Sequence, residues 1–171
     1  NVVSATENVK HKRQPLFVLR KTRLCGCGCG GFHTLQEIMD VVAWSMKCLA
    51  SGRSPSCRHD GSDWTEYDLG SRMEAGLVLH KAALLQLRGD WEWFEQCFRL
   101  RSVSSDYFCW MCQATQRTAG PQHYHNFQPD AGHRGTLIDH QQYMEACARE
   151  HAQPSHLFRS PGLQLEHLTV D

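Results

Sequence analysis

An apolar run that ends in Gly89-Asp90 and turns at once into an aromatic segment constrains this chain more than any other feature. The stretch 82–140 reads AALLQLRGDWEWFEQCF, then Cys109-Trp-Met-Cys112, then a histidine-laden tail closing in GHRGTLIDH. A short apolar run bounded by glycine is strand-like, although LHKAALLQL also fits a short helix. Asp90 then stands at the end of that strand, where a carboxylate is held in place to meet a catalytic metal. The C-x-x-C and the spaced histidines beyond it are ligand types that zinc takes.

The 171 residues suffice for one ordinary domain with a real core, and 41% of them are hydrophobic. No apolar run reaches the roughly 18 residues that a membrane-crossing helix needs, so no membrane partner is expected. Eighteen basic residues balance eighteen acidic ones, so net charge does not advertise a nucleic-acid surface. Locally the balance breaks: Lys10, Lys12, Arg13, Arg20, Lys21 and Arg23 occur with no acid among them. Such a run is either a phosphate-contacting arm or a solvated tail. The nine cysteines form C-x-C-x-C and C-x-x-C patterns, and no secretory signal precedes them. Thiols or metal thiolates in a reducing compartment, nuclear or cytoplasmic and not secreted, are therefore expected over disulfides. The start without Met and the abrupt LEHLTVD end lead to the expectation of a fragment truncated at both ends.

Periodicity supplies the elements. Pro15 to Cys25 has a short apolar stretch consistent with an edge strand, and the glycine-rich CGCGCGG at 25–31 then forms a tight loop. Thr34 and Glu37 make a capping box for a helix over 34–52, with Leu35, Ile38, Met39, Val42, Met46 and Leu49 at helical spacing and Gly52 as its stop. A long polar loop follows to Gly76, then a buried strand over 77–88. A short helix over 90–98 comes next, with Trp91, Phe94 and Phe98 on one side. After a second long loop, Thr136 caps a helix to about His151, with Leu137, Tyr143, Met144 and Cys147 facing inward.

Zinc takes four thiolate or imidazole ligands, and a C-x-x-C turn provides two thiolates from one knuckle. Cys109 and Cys112 meet that need; His133 with His140, or His123 with His125, would complete the tetrahedron. Cys25, Cys27, Cys29 and His33 form a second candidate, of a kind that binds many soft metals. Cys48, Cys97 and Cys147 fall on apolar faces and read as core. Asp90 has two readings: a metal-holding acid of an RNase H-like nuclease, which needs two or three carboxylates for paired Mg2+ or Mn2+ ions, or the N-cap of the helix that it begins. Asp60, Asp63 and Asp68 are its nearest acidic neighbours in sequence. No G-x-S-x-G, P-loop or dinucleotide fingerprint occurs.

The order KAALLQLRGDWEWF, FCWMC, AGHRGTLIDHQQY and LEHLTVD resembles the middle of CACTA-type (En/Spm-like) transposases. The chain looks closer still to multicopy uncharacterised proteins of protist genomes that share GFHTLQEIM, AWSM, RHDG, RGDWEW and CWMCQAT. The resemblance implies a partial RNase H-like core, α+β or α/β, with a zinc-bearing, loop-rich insertion. It divides the chain into a basic arm and Cys/Gly loop at 1–33, a partial nuclease core at 34–98, and a Cys/His insertion with its following helix at 99–171. It puts Asp90 in the place of the second catalytic acid. Cys109, Cys112, His133 and His140 fall on the insertion's ligand positions, with Arg134 as a basic neighbour and DNA as the partner. The chain departs from that family in lacking a first and a final acid and in carrying Trp91 and Trp93 after Asp90. As given, it is expected to be inactive. The other reading is a non-catalytic, zinc-stabilised domain that binds nucleic acid or protein through its basic arm and Trp91, Trp93 and Trp110.

Overall fold

A computed structural model describes residues 16–78, 80–84, 86–149 and 153–170. It is a mixed, helix-rich α+β arrangement of three helices, α1 (Phe32–Ser51), α2 (Trp91–Phe98) and α3 (His140–Arg149), with a two-stranded sheet of β1 (Leu87–Gly89) and β2 (Leu168–Val170). The strands run parallel, with Leu87 opposite Leu168 and Gly89 opposite Val170. Single 3-10 turns punctuate the long connections between these elements.

α1 forms because its twenty residues contain neither glycine nor proline. It stops where Gly52, at φ 68°, takes the left-handed conformation and donates its N–H to the carbonyls of Cys48 and Leu49. The start differs from expectation. Gly31 is the N-cap, and Thr34 lies inside the first turn, its hydroxyl engaged elsewhere. The buried face is also rotated from the expected stripe: Phe32, Leu35, Gln36, Met39 and Ala43 are inside, while Ile38, Val42, Met46 and Leu49 are half-buried.

The core is built from Met39 of α1, Phe94, Cys97 and Phe98 of α2, and Leu157, Leu163, Leu165 and Leu168 near the C-terminus. Both the 34–98 and the 99–171 segments thus feed one core. Gln36 ties its three parts together. Its side-chain amide donates to the Cys97 carbonyl at 2.9 Å and its oxygen accepts from the His156 N–H at 2.6 Å. Outside that bond, Asp40 accepts from Arg159 at 2.7 Å.

Three sequence expectations are corrected. The described residues of 77–88 do not form a buried strand: Leu87 and Arg88 enter the two-stranded sheet, Val78 makes an isolated bridge with Arg53, and Leu77 and Val78 are exposed. The described part of the 15–25 segment, 16–25, is not a strand either; Leu16 and Val18 are exposed, and Lys21–Arg23 forms a 3-10 turn. Thr136 closes the 3-10 turn Gly132–Thr136 instead of capping α3. That role falls to Asp139, which accepts from the Gln142 N–H at 2.8 Å while Gln142 accepts from the Asp139 N–H at 3.0 Å. Leu137 is consequently exposed, whereas Tyr143 is half-buried and donates its hydroxyl to the Phe98 carbonyl. The loop from Arg53 to Gly76 is tied down by Trp44 against Trp64 and by Asp68, which accepts from the Thr65 N–H at 2.8 Å.

Candidate metal centre

Alternating glycines let the chain reverse tightly enough to bring three nearby thiols to one point. Gly28 at φ 87° and Gly31 at φ 90° adopt a backbone region that side chains disfavour. At Gly31 a Cβ would also lie 2.8 Å from the Leu24 side chain. The loop therefore enters α1 with His33 one residue inside the helix, facing back toward the cysteines. Thr34 fixes the other end, its hydroxyl accepting from the Cys25 N–H at 2.9 Å.

The result is a cluster in which one ligand atom from each of Cys25, Cys27, Cys29 and His33 lies within 4.8 Å of all the others. Cys25 Sγ is 3.7 Å from Cys27 Sγ and 3.0 Å from Cys29 Sγ, and Cys27 Sγ is 3.3 Å from His33 Nδ1. A tetrahedral ion with metal–sulfur bonds of about 2.3 Å sets sulfur–sulfur edges of about 3.8 Å and sulfur–nitrogen edges of about 3.5 Å. The first and third distances fit that figure closely. Cys25 and Cys29 need only move slightly apart, in a loop whose glycines permit it. Cys27 and His33 are exposed and Cys25 and Cys29 half-buried, so an ion can enter from solvent.

Thiolate formation is already favoured at one ligand. The Cys29 thiol hydrogen-bonded to Cys25, with further help from the Thr34 backbone bond, lowers the Cys25 pKa to about 6, while Cys27 is raised, chiefly by its hydrogen bond with Cys29. Three thiolates and an imidazole select soft or borderline ions over Mg2+ or Ca2+. With all four positions filled by protein, such a centre has no open site for substrate and is structural in type.

No family model, curated protein or solved structure matches the chain.

Asp90 follows β1 directly and is the N-cap of α2, its carboxylate accepting from the Trp93 N–H at 2.7 Å. Among the described residues no group of three or more metal-capable side chains includes it. Asp60 and Asp68 are engaged with Ser62 and Thr65 of their own loop. The tryptophans offered as stacking platforms are packed: Trp91 lies on Phe108 and Trp110, and Trp93 on Phe94 and Phe98. Gly89 is required beneath Trp93, because a Cβ there would meet the indole at 2.9 Å.

Arg20, Lys21, Arg23 and Arg134 are exposed; Lys10, Lys12 and Arg13 lie outside the described residues. Lys21 approaches Glu92 at 3.9 Å, an exposed pair that contributes little. Cys109 and Cys112 adjoin the 3-10 turn that carries His133, through Gln113 N–H to Thr136 Oγ1 at 2.9 Å and Ile138 N–H to the Met111 carbonyl at 2.8 Å. His140 is the first residue of α3, not one turn inside it. His123 and His125 sit on a turn beside Thr115, where His123 Nδ1 already accepts from the His125 N–H at 3.3 Å.

The sequence weighed the Cys25 cluster below the C-x-x-C, yet it alone satisfies the distance requirement among the described residues. His33, grouped with the three cysteines in the sequence, is the donor that completes the set. Placed just inside a helix that begins after Gly31, it turns a flexible thiol-rich loop into a four-donor set.

Proposed function

We propose that this chain is a zinc-stabilised, non-catalytic nucleic-acid-binding module. The observation that carries the reading is the four-donor cluster at Cys25, Cys27, Cys29 and His33, which begins two residues after an exposed basic turn at Lys21–Arg23. Zinc is the ion that best suits three thiolates and an imidazole in a tetrahedron, without redox chemistry of its own. Bound there, it would hold Arg20, Lys21 and Arg23 in one orientation against phosphates, with Arg134 as an additional exposed cation. The zero formal net charge leaves binding to this local patch.

Three phosphate contacts imply a log–log salt slope of roughly 2–3 in magnitude. Anisotropy of a fluorescein-labelled DNA strand and duplex, titrated with zinc-loaded protein at several salt concentrations, tests this. Replacing Arg20, Lys21 and Arg23 together by Gln is expected to flatten the slope and weaken binding. Equal binding by that variant would refute the reading.

A second reading, a fragment of a transposase-like DNA-processing protein with an RNase H-like core, is favoured by one specific observation. Asp90 leaves the C-terminal end of β1, and β1 pairs in parallel with β2, which is followed in sequence by Asp171, outside the described residues. In a longer parent Asp90 would help hold Mg2+ or Mn2+ for phosphodiester hydrolysis or strand transfer. Asn caps helices as well as Asp does, so Asp90→Asn separates the two roles. Metal-dependent DNA cleavage lost in that variant at unchanged stability supports the catalytic reading. No cleavage by either protein leaves Asp90 as a cap.

A further inference from the structure

We propose that the turn over residues 123–127 is a clamp for one unpaired base of a single-stranded nucleic acid. The base is held between the rings of His125 and Phe127, with its phosphate toward Arg134. The proposal rests on the nucleic-acid reading above and gives it a contact separate from the basic turn. Trp91 and Trp93 are packed away, but this turn opens its rings to solvent. Phe127 is 77% exposed, Tyr124 36%, and His125 is exposed as well. No aliphatic side chain occurs among residues 123–127. An apolar peptide would call for aliphatic cover, whereas any nucleobase needs only flat faces to stack on.

The spacing of the two rings carries the proposal. His125 and Phe127 lie 26° from parallel with their centroids 6.5 Å apart. Bases stack at about 3.4 Å, so a base between two faces needs roughly 6.8 Å. Asn126, between them in sequence, is committed elsewhere. Its amide donates to the Pro121 carbonyl at 3.5 Å and its oxygen accepts from the Gln128 N–H at 3.2 Å. Tyr124 backs His125 at 3.9 Å. Behind Tyr124, ring contacts at 4.9 to 5.7 Å run through Phe108, Trp91 and Trp110 to the fully buried Phe94. The clamp thus stands on an aromatic chain anchored in the core.

The turn is also built before any ligand arrives. The Tyr124 N–H donates to the Thr115 carbonyl at 3.0 Å, the Thr115 N–H to the Gln122 carbonyl at 2.9 Å, and the Asn126 N–H to the His123 carbonyl at 2.9 Å. Little ordering is left to oppose binding. Arg134 donates to the Phe127 carbonyl at 3.4 Å, which brings an exposed guanidinium, with further N–H donors, beside the clamp. Between Arg117 and Ile138 two arginines stand against one acid, Asp130. A duplex keeps its base faces stacked on one another, so only an unpaired strand can fill the clamp.

The test titrates the zinc-loaded full chain into a short strand containing 2-aminopurine, made once as DNA and once as RNA, and into the matching DNA duplex. Quenching of the fluorescent base on binding is expected with at least one strand, and the two arms show which is taken. Phe127→Ala is expected to lose the quenching and to bind that strand about five- to a hundredfold more weakly, while Phe127→Trp keeps both. Duplex binding, which the basic turn carries, is expected to stay unchanged in Phe127→Ala. Unchanged strand binding and quenching in Phe127→Ala overturn the clamp, and the nucleic-acid reading survives if the triple Gln variant at Arg20, Lys21 and Arg23 still weakens binding. Equal weakening on strand and duplex overturns it too, because the loss is then not a base contact. Failure of the unaltered chain to bind strand or duplex removes both readings.

Discussion

Cys25 is the residue whose chemistry the fold changes most usefully. The neighbouring Cys29 thiol and the Thr34 backbone bond stabilise its thiolate, taking its pKa from 9.0 to about 6. Elsewhere the fold acts in the opposite sense. Burial pushes Cys97 up to about 12, and burial followed by the Cys109 thiol pushes Cys112 up to about 11. In the reduced, metal-free chain at pH 7, iodoacetamide is therefore expected to label Cys25 well ahead of Cys97 and Cys112, with its rate falling as pH drops through about 6. Peptide mapping reads the order, and preferential labelling of Cys97 would contradict it. The sign for stability follows from a lowered folded-state value. The loop's preference for thiolate is fully present above the unfolded value of 9 and is lost as pH falls through about 6.

At the scale of elements, Gln36 decides how the helices and the C-terminal segment meet. It is a polar residue only 3% exposed on the inward face of α1, and both ends of its amide are used. Gln36→Leu would fit the apolar surroundings in size but leave the Cys97 carbonyl and the His156 N–H unpaired. The expected loss is about 2–4 kcal/mol. For a chain of this length that is a fall in melting temperature of roughly 5–15 °C. Urea and thermal unfolding of the variant measure it, and a change below about 0.5 kcal/mol would show that the bridge contributes nothing net. α2 is held differently. Its cap at Asp90 and its left-handed exit at Arg99, at φ 53° with the guanidinium 4.0 Å from the Phe32 ring, fix both ends.

Across the whole molecule, the metal loop runs directly into Phe32, fully buried at the start of α1 and covered by the Arg99 guanidinium at the exit of α2. That arrangement predicts local rather than global failure when the Cys25 centre is broken. In Cys27→Ser, hydrogen exchange is expected to speed up at the Cys25 and Phe32 amides. These bond Thr34 Oγ1 and the Cys29 carbonyl. The Phe94 and His156 amides, which bond Asp90 and Gln36 around the core, are expected to keep their protection. Uniform loss of protection at all four would mean that the ion holds the entire fold.

Local chemistry, written in short-range sequence, determined what was legible. The α1 helix and its glycine stop, the α2 helix behind Asp90, the aspartate's capping role and the ligand types in the cysteine loop all depend on residues within a few positions of one another. The C-x-x-C turn belongs to the same class. Only the tertiary structure decided what depends on distant partners. Gln36 is a core residue because Cys97 and His156 come to it. Within the described part of the 77–88 run, a sheet forms only at its end, because the partner of Leu87 and Arg88 is Leu168–Val170, near the other end of the chain, while Val78 makes just an isolated bridge with Arg53. The expected grouping of Cys25, Cys27, Cys29 and His33 closes to ligand distance through the local geometry of a helix that begins at Phe32 and not at Thr34. An amphipathic pattern fixes which residues seek burial, whereas the face actually buried is set by what else arrives to cover it.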